Sequence, residues 1–168
     1  MVRKVVVVPY NPEWLSQFQA EAEQLSEILG GNVLSIDHIG STAIPGLYAK
    51  PTIDILIVVQ SHDQLDDRND SLEALGYVPK GENGIAGRRY FKKPAGDAHL
   101  YHLHAFEQGH AAIIQHLNFR DYLRAHPEAA KAYQVLKLKL AERFPYEAQR
   151  YTEGKANFIE TINAKAAF

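Results

Sequence analysis

Apolar residues change their spacing several times along this chain, and each change marks a different kind of element. Leu15, Phe18, Ala22, Leu25, Ile28 and Leu29 recur every three or four residues, the repeat of a helix that buries one side. Asn11-Pro12-Glu13 supplies an N-cap, a helix-compatible proline and an acidic first turn. Glu21, Glu23 and Glu27 fall off the apolar stripe, and Gly30-Gly31 ends the helix. Val33 to Ile39 then reads as a strand. Between Thr52 and Val59 the pattern becomes continuous: Ile53, Ile55, Leu56, Ile57, Val58 and Val59 are apolar on both parities, which predicts a central strand covered on both faces. Val5 to Val8 reads as a first strand or an extended arm, and Tyr10 and Trp14 as core.

Ser61 and Gln64 form a capping-box pattern, and the spacing predicts one helix that carries Leu65, Leu72 and Leu75 inward until Gly76. Tyr77-Val78, Arg88 to Phe91 and His99 to Phe106 follow as strands separated by Gly-rich and Pro-Gly-type turns, the pattern of a meander. Beyond Gly109 the helical repeat returns in three segments: Ile113 to Leu123, Tyr133 to Phe144 begun at Pro127, and Tyr151 to Ile162 after Pro145. Lys137 and Lys139 read as the solvent side of the second. An early helix, strands and a helical C-terminal segment make an α+β fold, with helices on a mixed or antiparallel sheet. A length of 168 residues suits one domain spanning residues 1–168.

Charge and composition narrow the function. A net charge of -2 argues against general nucleic-acid binding, which draws its affinity from clustered Lys and Arg. With no cysteine, any transition-metal ligands must be His, Asp or Glu. The apolar run near the N-terminus is too short for a signal segment or a membrane span, so a cytoplasmic protein is expected.

The chemistry concentrates around Asp54, a carboxylate inside the most apolar strand. Such a group costs several kcal/mol unless a cation, metal or donor compensates it. The plain alternative is a structural carboxylate held by Lys50, an Arg or backbone N–H groups. Gly40-Ser41-Thr42, between the two strands, offers small residues suited to an anion, or else a simple turn. His102 and His104 share one face of their strand by the two-residue period. If that strand lies beside Asp54, the three side chains converge on a site suited to Zn, Mn, Ni or Fe; otherwise the histidines form a partly exposed polar face. Arg88, Arg89, Lys92 and Lys93 either neutralise substrate phosphates or form a solvated edge. His38, directly before the Gly-Ser-Thr turn, is the one other histidine near this centre in sequence.

Several motifs together resemble the GrpB-like (UPF0157) family: Tyr10-Asn11-Pro12-Glu13-Trp14, His38-Ile39-Gly40-Ser41-Thr42-Ala43-Ile44-Pro45-Gly46-Leu47, Lys50-Pro51-Thr52-Ile53-Asp54-Ile55, His102-Leu103-His104, Phe119-Arg120-Asp121-Tyr122-Leu123-Arg124-Ala125-His126-Pro127, and Tyr151-Thr152-Glu153-Gly154-Lys155-Ala156-Asn157-Phe158-Ile159. That family is regarded as a branch of the nucleotidyltransferase superfamily, and similar domains occur fused to dephospho-CoA kinases. The resemblance implies a nucleotidyltransferase-like mixed sheet flanked by helices. It implies phosphate or substrate binding by Gly40, Ser41, Thr42, Lys50, Arg89 and Lys155, the last on the resemblance alone. In the superfamily a second acid two residues after the first completes a Mg²⁺ site, and here that place is Leu56. Asp54, as catalytic residue and metal ligand, with His102 and His104 therefore implies one divalent ion (Zn, Mn, Ni or Mg) rather than a Mg²⁺ pair. The expected ligand is a nucleotide or other phosphorylated metabolite, handled by a transferase-like enzyme. The alternatives are a non-catalytic nucleotide-binding or protein-stabilising module associated with a dephospho-CoA kinase, and a single-metal hydrolase.

Overall fold

The computed structural model describes residues 4–95 and 99–167, without the side chains of Ala95 and His99. Helix α1 (Glu13–Leu29) starts where the Asn11 side chain accepts the Glu13 amide at 3.0 Å and stops at Gly30, whose φ of 65° suits glycine. Its inner face buries Trp14, Leu25 and Leu29. Glu21 also lies there, not on the outer face that the sequence suggested. It stands three residues after Phe18 and four before Leu25, so the helix turns it inward. Lys93 Nζ meets its two carboxylate oxygens at 2.8 and 3.2 Å, and the Tyr77 hydroxyl donates to it at 2.6 Å.

Strands β1 (Val33–Ile39) and β2 (Thr52–Val59) pair antiparallel. The apolar run of β2 makes it a central strand, with every residue from Ile55 to Val59 buried. The helix expected after Ser61 is two, α2 (His62–Asp66) and α3 (Asn69–Ala74). The Ser61 hydroxyl accepts the Gln64 amide at 3.4 Å, as the capping pattern predicted. The break falls at Asp67-Arg68, after Asp66 and Asp67 have put negative charge at the wrong end of a helix. Strands β3 (Val78–Pro79), β4 (Arg88–Ala95) and β5 (His99–Glu107) form the expected meander, and the turn anticipated at Gly96 lies outside the described residues. β5 inserts beside β2 in parallel, giving the mixed order β1-β2-β5-β4-β3.

Register decides what each face of the sheet carries. Asp54 and Leu56 of β2, His102, His104 and Phe106 of β5, and Arg88, Tyr90 and Lys92 of β4 alternate onto one face. Ile53, Ile55, Ile57, Leu103, Ala105 and Phe91 take the other and form the main core with α1, α2 and α3. On the Asp54 face, α4 (Ala111–Ala125) packs Ile113 and Leu117 over Leu56 and Phe106. Helices α5 (Pro127–Arg143) and α6 (Ala148–Ala166) join α4 around Phe119, Leu123, Tyr133 and Ile162, together with Ile44 and Leu47 from the β1–β2 connection. The early apolar segment is an arm rather than a strand. Val8 makes one bridge to Ala49, and Val5 is buried against Leu140 and Tyr151.

Candidate functional site

Parallel pairing sets His102 opposite Asp54 and His104 opposite Leu56. His104 Nε2 lies 2.9 Å from Asp54 Oδ1, and His102 Nδ1 lies 3.6 Å from the same oxygen. Burial works to raise the Asp54 pKa, but the adjoining His102 and His104 imidazoles hold it well below the usual carboxylate range. The second nitrogen of His104, Nδ1, is 3.4 Å from Arg88 Nη1. A guanidinium has no lone pair to offer, so Nδ1 accepts, and the imidazole proton sits on Nε2 and is donated to Asp54. Arg88, 6% exposed, is fixed in turn by the carbonyls of Glu82 and Asn83 and by the Tyr90 ring.

Gly40 lets the turn after β1 approach this carboxylate. Its φ is 74°, and a Cβ there would stand 2.7 Å from Asp54 Oδ2, so only glycine fits without displacement. Ser41 neighbours the Tyr133 hydroxyl, whose pKa burial pushes up to about 12 against the opposing effect of Ser41. Thr42 is turned inward: its hydroxyl donates to the Thr52 carbonyl at 3.1 Å and accepts from His38 Nε2 at 2.9 Å. It holds the turn to β2. His38 stacks on Phe18, and burial depresses its pKa to about 4, so near neutral pH it is a neutral structural donor.

Three lysines converge on the same place. Lys50 and Lys155 set their ammonium groups 4.9 and 4.8 Å from the Tyr151 ring centre, and Lys137 lies 4.8 Å from that of Tyr133. Lys137, expected on the wet side of its helix, is 1% exposed and donates to the Tyr48 carbonyl. Burial, with the nearby charges of Lys155 and Lys50, pushes the Lys137 pKa down to about 7. Burial and Lys50 push Lys155 down to about 8, against the pull of Asp54. Lys50 is also lowered, by burial and by Lys92. One carboxylate, already bonded to His104, faces this excess of positive charge.

Gly40, Ser41, Lys50, Asp54, His102, His104 and Lys155 are thus brought together, while Arg89 is not. The strand period puts Arg88 on the site face and Arg89 on the other, where it forms a two-point ion pair with Asp66 at 2.9 and 3.2 Å. Tyr133 and Lys137 were missed, although one signal was available: each of the two C-terminal helices carries a Tyr-x-x-x-Lys pair, Tyr133/Lys137 and Tyr151/Lys155. Four residues apart on a helix means side by side.

A divalent ion would place specific demands on this donor set. Metal-bound histidine presents a bare nitrogen to the ion and donates its other N–H outward, whereas His104 carries its proton toward Asp54 and meets a donor at Nδ1. Leu56, at the place of the second acid, is fully buried among Ile39, Phe106 and α4. Among the described residues no cluster of three or more His, Cys, Asp or Glu has the geometry of a metal site. The arrangement fits hydrogen bonding rather than chelation.

The family model described as GrpB protein matches residues 4–165. The UPF0157 protein YqkA of Bacillus subtilis is 48% identical over 164 residues, covering 98% of this chain and 48% of that protein, so the chain spans about half the length of this relative. A dephospho-CoA kinase of Mycolicibacterium paratuberculosis is 30% identical, covering 96% of this chain and 46% of the kinase. The crystal structure of conserved protein GrpB from Enterococcus faecalis superposes with a TM-score of 0.90 at 39% identity, over 96% of both chains. A cytoplasmic RNA terminal U-transferase superposes with a TM-score of 0.58 at 15% identity, over 81% of this chain and 43% of the other, a likeness of fold. Among the described residues no helix is long and apolar enough to cross a membrane.

Proposed function

For a chain that belongs to the GrpB protein family and has a nucleotidyltransferase-like fold, we propose that the pocket beside Asp54 binds the phosphates of a nucleotide or other phosphorylated metabolite. The carrying observation is the crowding of Lys50, Lys137 and Lys155 around one carboxylate, with burial depressing all three ammonium pKa values. Ammonium groups crowded together, one buried and two half-buried, are costly unless an anion joins them. A phosphate offers acceptors to all three and to the Ser41 and Tyr133 hydroxyls. Asp54, kept ionised, lies at the edge of this cradle as an acceptor for a ligand hydroxyl or amine. The kinase-named relatives make dephospho-CoA and its precursors sensible members of the ligand panel.

Two readings share this pocket. In a transferase, the cradle would orient the phosphate and stabilise developing charge, and positioning would supply most of the rate. A binding module needs only the cradle, and Leu56 favours it, because the superfamily's paired acids are incomplete. Calorimetry with ATP and adenosine tests phosphate recognition. ATP should bind at least tenfold more tightly, and added salt should erode the difference. Equal affinity for the two, or no binding of either, would remove phosphate recognition.

A further inference from the structure

The proton between His104 and Asp54 bears on which form of the ligand the pocket accepts. The Arg88 guanidinium points at His104 Nδ1 from 3.4 Å, and it is itself held by the Glu82 and Asn83 carbonyls at 3.1 and 2.8 Å. For His104 Nε2 to bind a cation, its proton would have to move to Nδ1, where two N–H donors would then face each other. Leu56 removes the other oxygen ligand that a hard divalent ion would need from this strand. Meanwhile, positive charge of the kind such an ion would bring is supplied by Lys50 and Lys155, and by Lys137 once an anion beside it favours the ammonium form.

Resting on the phosphate-binding reading above, we propose that this site takes its phosphorylated ligand without a metal ion: Arg88 locks His104 as a hydrogen-bond donor to Asp54, and the three lysines neutralise the phosphates in place of a chelated cation. Arg88 is then a positioning residue that acts through His104. Substrate charge is met by fixed ammonium groups, which need no coordination sphere to be assembled and which discriminate against a phosphate already neutralised by Mg²⁺. Phosphate-rich ligands in their free anionic form are the class expected.

Three measurements on the full chain decide this. Long-range ¹H–¹⁵N spectra of the unliganded protein read the His104 tautomer directly: a protonated Nε2 and bare Nδ1 support the proposal, and the reverse overturns it. Calorimetry with ATP in EDTA and in excess Mg²⁺ should give affinity in EDTA at least equal to that in Mg²⁺, and binding that appears only with Mg²⁺ overturns the metal-free proposal while leaving phosphate recognition standing. If ATP binds in neither condition, the phosphate reading falls, and with it the proposal. Finally, Arg88→Met frees His104 to shift its proton, so the variant should gain at least tenfold in Zn²⁺ affinity over the wild type, and His104→Ala in that background should abolish the gain. Wild-type Zn²⁺ binding that is lost in Asp54→Asn overturns the proposal without any need for Arg88→Met to fold.

Discussion

Two carboxylates, Glu21 buried and Asp54 half-buried, sit on opposite faces of this sheet, and they are treated differently. Glu21 has one ammonium group, Lys93, and one hydroxyl, Tyr77, all within 3.2 Å, so its charge is matched and its acceptors are filled. Asp54 has two imidazoles and a surplus of lysines that do not reach it as direct partners. A balanced group of this kind can exist simply to hold a fold together. An unbalanced one stores unfavourable charge interactions that a ligand can relieve, and that difference separates a structural ion pair from a candidate site.

The sharpest way to break the comparison is to remove one ammonium group from each side. Lys93→Met should lower stability by about 3–5 kcal/mol, because it leaves Glu21 buried and unpaired. Lys155→Met should leave stability equal or higher, since a crowded cation is lost, and should weaken ATP binding at least tenfold. Denaturant titration of the two variants checks the first pair of outcomes, and calorimetry the second. Similar destabilisation by both would mean that the lysines around Asp54 are structural after all.

Acid stability should follow the neutral histidines on both sides of the sheet. Burial lowers the folded pKa of His38, and of His116 on α4 beside the His104 ring, to about 4, below the ordinary value of 6.5. The unfolded chain therefore binds more protons between these values, and stability falls as pH drops from about 6.5 toward 4, by an amount on the order of 3 kcal/mol for His38. Asp54 adds to the decline only at the acid end of this window: its folded pKa is depressed, so its contribution is full above the ordinary carboxylate range and begins to be lost as the unfolded chain takes up the proton below about pH 5. Denaturation midpoints across that range should show the decline, and His116→Phe should flatten it.

Much of the fold was legible because burial on both faces of β2 left a continuous apolar run, and because prolines and glycines punctuate the helices. The break between α2 and α3 was not, since both halves keep one apolar stripe and the interruption comes from Asp66 and Asp67. Parity alone put His102 and His104 on one face, but strand order was needed to set Asp54 beside them. Arg88 and Arg89 were indistinguishable until register chose a face for each. Lys137 was misplaced because charge was weighed above spacing: Tyr133, Leu136 and Leu140 define an inward face that includes position 137. Glu21 was misplaced for the same reason, and its partners, Tyr77 just before β3 and Lys93 on β4, lie far along the chain where no local pattern connects them to it.

Smaller effects sharpen the picture of the site itself. Gly40→Ala should cost about 1–3 kcal/mol through its left-handed backbone and the contact with Asp54, and it should weaken ATP binding in parallel, measurable by thermal shift with and without ATP. Raising the pH from about 7 to 9 should weaken ATP binding about tenfold, as Lys137 and Lys155, with pKa values near 7 and 8, lose their charge. Because a bound anion favours the charged ammonium, binding near pH 8 should take up protons. Calorimetry in buffers of different ionisation enthalpy measures that uptake.

The arm before α1 carries a consequence for how the chain is made. Val5 donates its amide to the Pro145 carbonyl at 2.6 Å, and Val8 pairs with Ala49, next to Lys50. During synthesis these residues emerge from the ribosome before any of their partners, and Val5 must wait until both C-terminal helices have been translated. Contacts so distant along the chain close late and at an entropic cost. The cradle that Lys50 and Lys155 build around Tyr151 is therefore expected to be among the last parts of the molecule to assemble, complete only once the arm has met the C-terminal helices.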